Sequence, residues 1–191
     1  MLTFAITFHN ESKNLRGWFE NIKHYTDDIV CTNQESTDDS KSIALSYGAR
    51  VFDTKKTGYC ETDRQRLLDE AKNDWVFIMD ADERIPYDID FSKLLHGSSK
   101  AFRTRLFVTD IGRVVCPIPG DYQIRLLPKA TQWPATLHQK PSISYEMTDI
   151  PLYHIKSIAD IRSATERYGH LSPQAKKDAE WYLNEIIKCQ K

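Results

Sequence analysis

The chain has 191 residues, 40% of them hydrophobic and 28% charged, the proportions of one soluble globular domain with a substantial core. A formal net charge of −1 excludes a global field that would draw it onto nucleic acid or an anionic membrane. Cys31, Cys60, Cys116 and Cys189 are scattered with no CxxC, which points to reduced thiols and away from a structural zinc site.

Leu2-Thr3-Phe4-Ala5-Ile6-Thr7-Phe8 is largely apolar and reads as the first strand. His9-Asn10-Glu11-Ser12 is a polar turn, after which Leu15, Trp18, Phe19 and Ile22 recur at the spacing of one helix face. Asp28-Ile29-Val30-Cys31-Thr32 is a short second strand. Ser36, with Asp39 three residues on, has the pattern of a capping box. It predicts a helix carrying Ile43, Ala44 and Tyr47 that stops at Gly48. Ala49-Arg50-Val51-Phe52 is a third strand. Beyond a loop around Gly58, Thr62 and Gln65 repeat the capping-box pattern and open a helix through Ala71.

The stretch that organises the chain comes next. Trp75-Val76-Phe77-Ile78-Met79 is apolar without alternation, which predicts a strand buried on both faces, as in a parallel sheet covered by helices. The run stops at Asp80-Ala81-Asp82-Glu83. Desolvating an unpaired carboxylate costs several kcal/mol or more. These groups therefore belong at the carboxyl end of the strand, where open α/β sheets bind ligands. Asp80 and Asp82 share a side if the strand conformation continues through them. Two hard oxygen donors there suit Mg²⁺ or Mn²⁺, metals that usually arrive with a phosphate. The competing reading makes these acids caps of the next turn or helix. The order β-α-β-α-β-loop-α-β predicts a parallel, doubly wound sheet with right-handed crossovers.

The second half is irregular. Ala101 to Val108 and Tyr122 to Leu127 alternate like strands, while Pro117, Pro119, Pro128, Pro134, Pro141 and Pro151 break up the interval. Antiparallel additions to the sheet are expected here, followed by helices over Ile158 to Tyr168 and Pro173 to Lys188.

Several of these segments together resemble family 2 glycosyltransferases, which have the GT-A fold. Thr7-Phe8-His9-Asn10-Glu11 is similar to the family's opening strand, and Asn33-Gln34-Glu35-Ser36-Thr37-Asp38 to its D-x-G-S-x-D element. Arg64-Gln65 stands in the place of an Arg-Asn pair, and Trp75 through Glu83 is close to the W-hydrophobic-D-A-D-E core. Arg125-Leu126-Leu127 and Trp133-Pro134-Ala135-Thr136-Leu137-His138-Gln139 resemble the R-L-F and w-x-g-x-x-H-E elements. The resemblance covers residues 2 to 155 and is strongest over the first ninety. The nearest subgroup is that of small bacterial enzymes resembling lipopolysaccharide core glucosyltransferases. Asn33 departs from the Asp that reads the nucleobase, and Gln139 from a Glu that is frequent in the subgroup.

The resemblance implies a single α/β domain: a mostly parallel Rossmann-like sheet flanked by helices, an irregular second half and C-terminal helices. Residues 1–90 would form a nucleotide-binding half, 91–155 an acceptor half and 156–191 the C-terminal helices. Asp82 would ligate the metal, Asp80 would contact the metal or the ribose, and Ala81 lies between them. Glu83 would support both acids. Arg64 would face the diphosphate or nucleobase with paired donors. Phe8, Asn10 and Glu11 would border the nucleobase and ribose. Asn33 keeps an acceptor with which to read a uracil edge, Arg125 would complete the donor site, and Trp133 would wall the donor or the acceptor. His154 would reach the metal or diphosphate, and His138 or Asp121 would act as the base that deprotonates the acceptor. Plainer alternatives stand beside these roles: a core edge for Phe8, a turn for Asn10 and Glu11, a first-turn helix residue for Asp38, a solvated helix face for Arg64.

The resulting expectation is a metal-dependent, inverting glycosyltransferase using Mn²⁺ or Mg²⁺. It would move a sugar from a nucleotide-sugar donor, UDP-linked, to an acceptor hydroxyl on a glycan, lipid-linked glycan, protein or modified nucleic acid. One rival is a nucleotidyltransferase that makes the activated sugar, but its first strand normally leads into a Gly-rich phosphate loop, and Thr7 to Ser12 holds no Gly. The other is a non-catalytic nucleotide-sugar-binding subunit, which Asn33 and Gln139 keep open. With no apolar run of bilayer length and no leader before the first strand, the expected location is cytoplasmic, either free or peripheral at the inner face of the membrane.

Overall fold

The computed structural model describes residues 1–115, 122–134 and 141–169. Along the chain run β1 (Leu2–Phe8), α1 (Ser12–Ile22), β2 (Asp28–Gln34), α2 (Ser40–Ser46), β3 (Arg50–Thr54), α3 (Glu61–Glu70) and β4 (Trp75–Ile78). They are followed by β5 (Glu83–Arg84), β6 (Ser99–Val108), β7 (Arg113–Val115), β8 (Tyr122–Pro128), β9 (Tyr145–Lys156) and α4 (Ile158–Gly169). Among the described residues the strands make a nine-stranded sheet ordered β3-β2-β1-β4-β8-β6-β9-β5, with β7 paired to β6. β3, β2, β1 and β4 are mutually parallel, so their carboxyl ends share one edge.

The unbroken apolar runs are explained by what covers each face. Leu2, Phe4, Ile6 and Phe8 of β1, with Phe77 of β4, pack under Leu15, Trp18, Phe19 and Ile22 of α1 and Ile43 and Ala44 of α2. The alternate residues Ala5, Val76 and Ile78 face Leu67 and Leu68 of α3, with Leu127 and Trp133. A strand buried on both sides has no polar face, hence no period of two in its sequence.

The second half differs from expectation in one respect. β8 is antiparallel to β4 as expected, and β6 is antiparallel to β8. The 12-residue β9, however, was not legible as a strand, and it runs parallel to β6. Its first half is largely exposed and carries Glu146 and Asp149, so no apolar alternation marks it. The register shifts between Ala101 and Arg103, where Pro151 enters, the kind of irregularity that lets a proline sit in a ladder. The predicted helix over Pro173 to Lys188 lies outside the described residues. No helix among the described residues is long and apolar enough to cross a membrane.

Neither capping box forms. α2 begins at Ser40 and α3 at Glu61, and neither N-cap residue makes a side-chain cap hydrogen bond. Ser36 Oγ instead accepts from Asn10 N–H at 3.0 Å, and Gln65 Oε1 accepts from Trp133 N–H at 2.7 Å. These side chains serve contacts between loops, which outcompeted the local pattern.

At the amino ends of the strands, buried Asp28 ties three segments together. It accepts from Thr3 Oγ1 at 2.6 Å, from Lys72 N–H at 2.9 Å and from Arg50 Nη2 at 2.8 Å. Burial raises its carboxyl pKa, but these donors outweigh burial and hold it below the ordinary range. A depressed carboxylate contributes stability that is present above its unfolded pKa, about 3.9, and is lost as pH falls through the folded value. Asp28→Asn should therefore lower unfolding stability by about 2–3 kcal/mol at pH 7. In urea unfolding followed from pH 7 downward, the gap to the wild type should narrow below about pH 4.

Candidate functional site: an acidic turn at the sheet edge

β4 ends at Ile78, and Glu83 N–H donates to Asp80 O at 3.0 Å, closing a turn over Asp80 to Glu83. The strand conformation does not continue, so Asp80 and Asp82 diverge. Asp80 turns to Arg64 and Arg125, Asp82 to Lys156. The expectation of two acids on one strand face is thus corrected: an i to i+3 turn replaces the period of two.

Glu83 is wholly buried, and its side chain organises the turn. Oε1 accepts from Arg125 Nη2 and lies 2.8 Å from His154 Nε2, while Oε2 accepts from Asp80 N–H at 2.9 Å. Arg125 also donates to Asp80 Oδ2 at 2.8 Å. Topology produces this meeting. β8 is antiparallel to β4, so the start of β8 arrives at the end of β4, and β9 pairs Glu83 directly with His154. For Asp80, burial raises the carboxyl pKa, but Arg125, Arg64 and His154 outweigh it and hold it well below the usual range. Burial disfavours charge on His154, yet Glu83 more than offsets this, so its pKa is raised. Arg125 is likewise held firmly protonated by Asp80 and Glu83 against burial.

Arg64 stands at the start of α3, which runs back from the same sheet edge. Its guanidinium lies 4.7 Å from the centroid of the Trp133 ring and donates to Cys60 Sγ at 3.3 Å and, more loosely, to Asp80 Oδ1 at 3.4 Å. Arg64 Nε and Trp133 Nε1 are buried with no hydrogen-bond partner among the described residues. Trp133 itself is a core residue, so it serves as a platform for Arg64.

The loops after β1 and β2 are stitched together. Asn10, at a positive φ of 53°, accepts from Thr37 N–H at 2.8 Å, and Glu11 N–H donates to Ser40 Oγ at 2.7 Å. Asp38 accepts from Ser12 N–H and Ser40 N–H at 3.0 Å each, clamping the starts of both α1 and α2. Desolvation raises its pKa, but those bonds prevail and bring it down to about 2. Burial pushes the Glu11 carboxyl up, partly countered by Asn14. Asn33 is buried, donating to Asp53 Oδ1 at 2.9 Å and accepting from Ser36 N–H at 3.1 Å. Phe8 is in the core. Asp121 and His138 lie outside the described residues.

Two contributors escaped the sequence reading. Lys156 closes β9 and pairs with Asp82. Arg84 donates to Ala81 O at 2.8 Å and Asn14 O at 2.9 Å, fastening the turn to α1. A signal for Arg84 existed: Gly17 sits mid-helix, where Gly costs about 1 kcal/mol against Ala. A Cβ at Gly17 would lie 2.8 Å from Arg84 Nη2.

The oxygens of Asp80 and Glu83 and a ring nitrogen of His154 gather within 4.8 Å of one another. Glu83 is engaged within the protein, so Asp80 and His154, with Asp82 adjacent in the turn, are the residues that could hold a divalent cation such as Mn²⁺.

The family model for glycosyl transferase family 2 matches residues 3–101 of the 191. The chain belongs to that family. An uncharacterized glycosyltransferase, RP128, of Rickettsia prowazekii is 36% identical over 89 residues, which cover 46% of this chain and 29% of the relative. The family 2 chain therefore aligns with less than a third of that relative's length. Its fold is GT-A. The mannosyltransferase PcManGT of Pyrobaculum calidifontis, in complex with GDP-Man and Mn²⁺, superposes with a TM-score of 0.63 at 14% identity, over 98% of this chain and 73% of that one. S. aureus TarS 1-349 does so with a TM-score of 0.59 at 13% identity, over 98% and 71%.

Because Glu83 is enclosed and Asp82 is partly exposed, substitutions at the two should separate in stability. Glu83→Gln, which leaves Arg125 short of its buried partner, should cost about 3 kcal/mol. Asp82→Asn should cost no more than about 1 kcal/mol. Denaturant unfolding of the two variants checks this.

Proposed function

We propose that this family 2 chain transfers a sugar from a nucleotide-sugar donor, UDP-linked in our reading, to an acceptor hydroxyl with inversion at the anomeric carbon. The observation that carries the reading is the acidic turn at the carboxyl end of β4, with Arg125 bound to its first carboxylate and Arg64 loosely paired with it. The GDP-Man and Mn²⁺ bound by the structurally similar mannosyltransferase support the ligand class and make GDP the competing nucleotide.

In a single displacement the acceptor oxygen forms its bond to the anomeric carbon as the carbon–oxygen bond to the diphosphate breaks, and the electron pair leaves with the phosphate. A Mn²⁺ or Mg²⁺ held by Asp80, Asp82 and His154 would neutralise the charge growing on that leaving group. Arg64, over the Trp133 ring and incompletely satisfied among the described residues, offers charge-assisted donors to the diphosphate. Glu83 and Arg125 keep Asp80 ionised and oriented. Asn10, Glu11 and Asn33 shape the loops that would border the nucleoside. The acceptor's proton passes to a base, for which His138 and Asp121 are our candidates.

The test is turnover of purified protein with Mn²⁺ against a panel of UDP- and GDP-sugars, read as donor hydrolysis or transfer. Absence of turnover with every donor would overturn the proposal. Asp82→Asn should lose about 100-fold or more in kcat while staying folded; undiminished turnover would refute its ligand role. Arg64→Ala should raise the donor Kd about tenfold or more. His138→Ala should lower kcat more than donor affinity; a pure affinity loss would move His138 to the donor side.

A further inference from the structure

We infer that Lys156 is a resident counter-ion that occupies Asp82 in place of a divalent cation and is displaced from it when the cation binds. The inference rests on the reading that the acidic turn takes Mn²⁺ or Mg²⁺ with a diphosphate.

Its basis is the way the acids are paired. Asp80 is met by Arg64 and Arg125, Glu83 by Arg125 beside His154, and Asp82 by Lys156. The three cations are not equivalent. The Arg64 and Arg125 side chains are 11% and 4% exposed, and both are planar forks fixed by several contacts. Lys156 is a point charge on a flexible stem, 28% exposed, and its partner Asp82 is 20% exposed. Among the described residues the Asp82 carboxylate has no other hydrogen-bond partner. Of the three cations Lys156 is the most exposed, so its ion pair opens at the smallest desolvation cost.

Position supports the exchange. His154 and Lys156 are two apart on β9 and point to the same side, toward the turn. β9 is anchored there by Glu83 pairing with His154 and by Ile155 N–H donating to Asp82 O at 2.7 Å. The backbone therefore holds the Lys156 stem beside the turn whether or not its ammonium contacts Asp82. An ammonium and a divalent cation on one carboxylate repel, so binding of the cation drives the ammonium off. The released ammonium stays within reach of the site and is available to a phosphate oxygen. Cation and nucleoside diphosphate should thus each strengthen the other's binding.

The experiment titrates Mn²⁺ alone into the wild type, Lys156→Met, Lys156→Gln and Lys156→Arg, reading free Mn²⁺ by electron paramagnetic resonance. Thermal melting verifies that each variant is folded, and Lys156→Gln serves if Lys156→Met is not. The neutral variants should bind Mn²⁺ about tenfold tighter than the wild type, and Lys156→Arg like the wild type. Repeating the titration with UDP or GDP present should tighten Mn²⁺ binding more in the wild type than in the neutral variants. Equal Mn²⁺ affinity across the series, or weaker affinity in the neutral variants, would overturn the counter-ion role while leaving the metal-dependent reading standing. No Mn²⁺ binding by any of the proteins, with or without nucleotide, would overturn both.

Discussion

The contact between Glu83 and Arg125 is the constraint on which the site depends. Both side chains are enclosed, and an enclosed ion without its partner is a severe penalty. Each belongs to a different half of the chain: Glu83 follows β4, and Arg125 lies in the middle of β8. The pair can be satisfied only when β8 docks antiparallel on β4. Assembly of the acidic turn and addition of the second half to the sheet are therefore one event. From Glu83 the constraint spreads to the Asp80 backbone and the His154 ring, and from Arg125 to the Asp80 carboxylate.

This arrangement divides the acids by task. Glu83 spends both oxygens inside the protein and acts as scaffold. Asp80 is pinned by guanidinium groups yet about a third of its side chain is open, at 36% exposure. Among the described residues Asp82 is tethered by a flexible lysine. The geometry of the turn is thus fixed from behind, by Glu83, while Asp80 and Asp82 are partly open. Arg84 adds a brace by fastening the turn to α1, and it explains why a helix tolerates Gly17.

The rim is built in the same manner. The loops after β1 and β2 are joined by Asn10, Ser36, Thr37, Asp38 and Ser40, so neither is free to move alone. Asn33 uses both ends of its amide to hold Asp53 and the backbone of Ser36. Its carboxamide suits that place because it must donate and accept at once, which an ionised carboxylate cannot do.

Much of the parallel half was readable in the residues alone. Continuous apolar runs in β1 and β4 announced strands covered on both faces, helical spacing in Leu15, Trp18, Phe19 and Ile22 announced α1, and the abrupt change from Met79 to Asp80 located the site. These signals are local: burial on both faces leaves its imprint on consecutive residues. The partners of the acids were decided only by tertiary structure. Arg125 reaches Glu83 across 42 positions and Lys156 reaches Asp82 across 74, and β9 carries no apolar rhythm because half of it is exposed. An ion pair leaves no period in a sequence, since its energy depends on the distance between two side chains and not on their spacing along the chain.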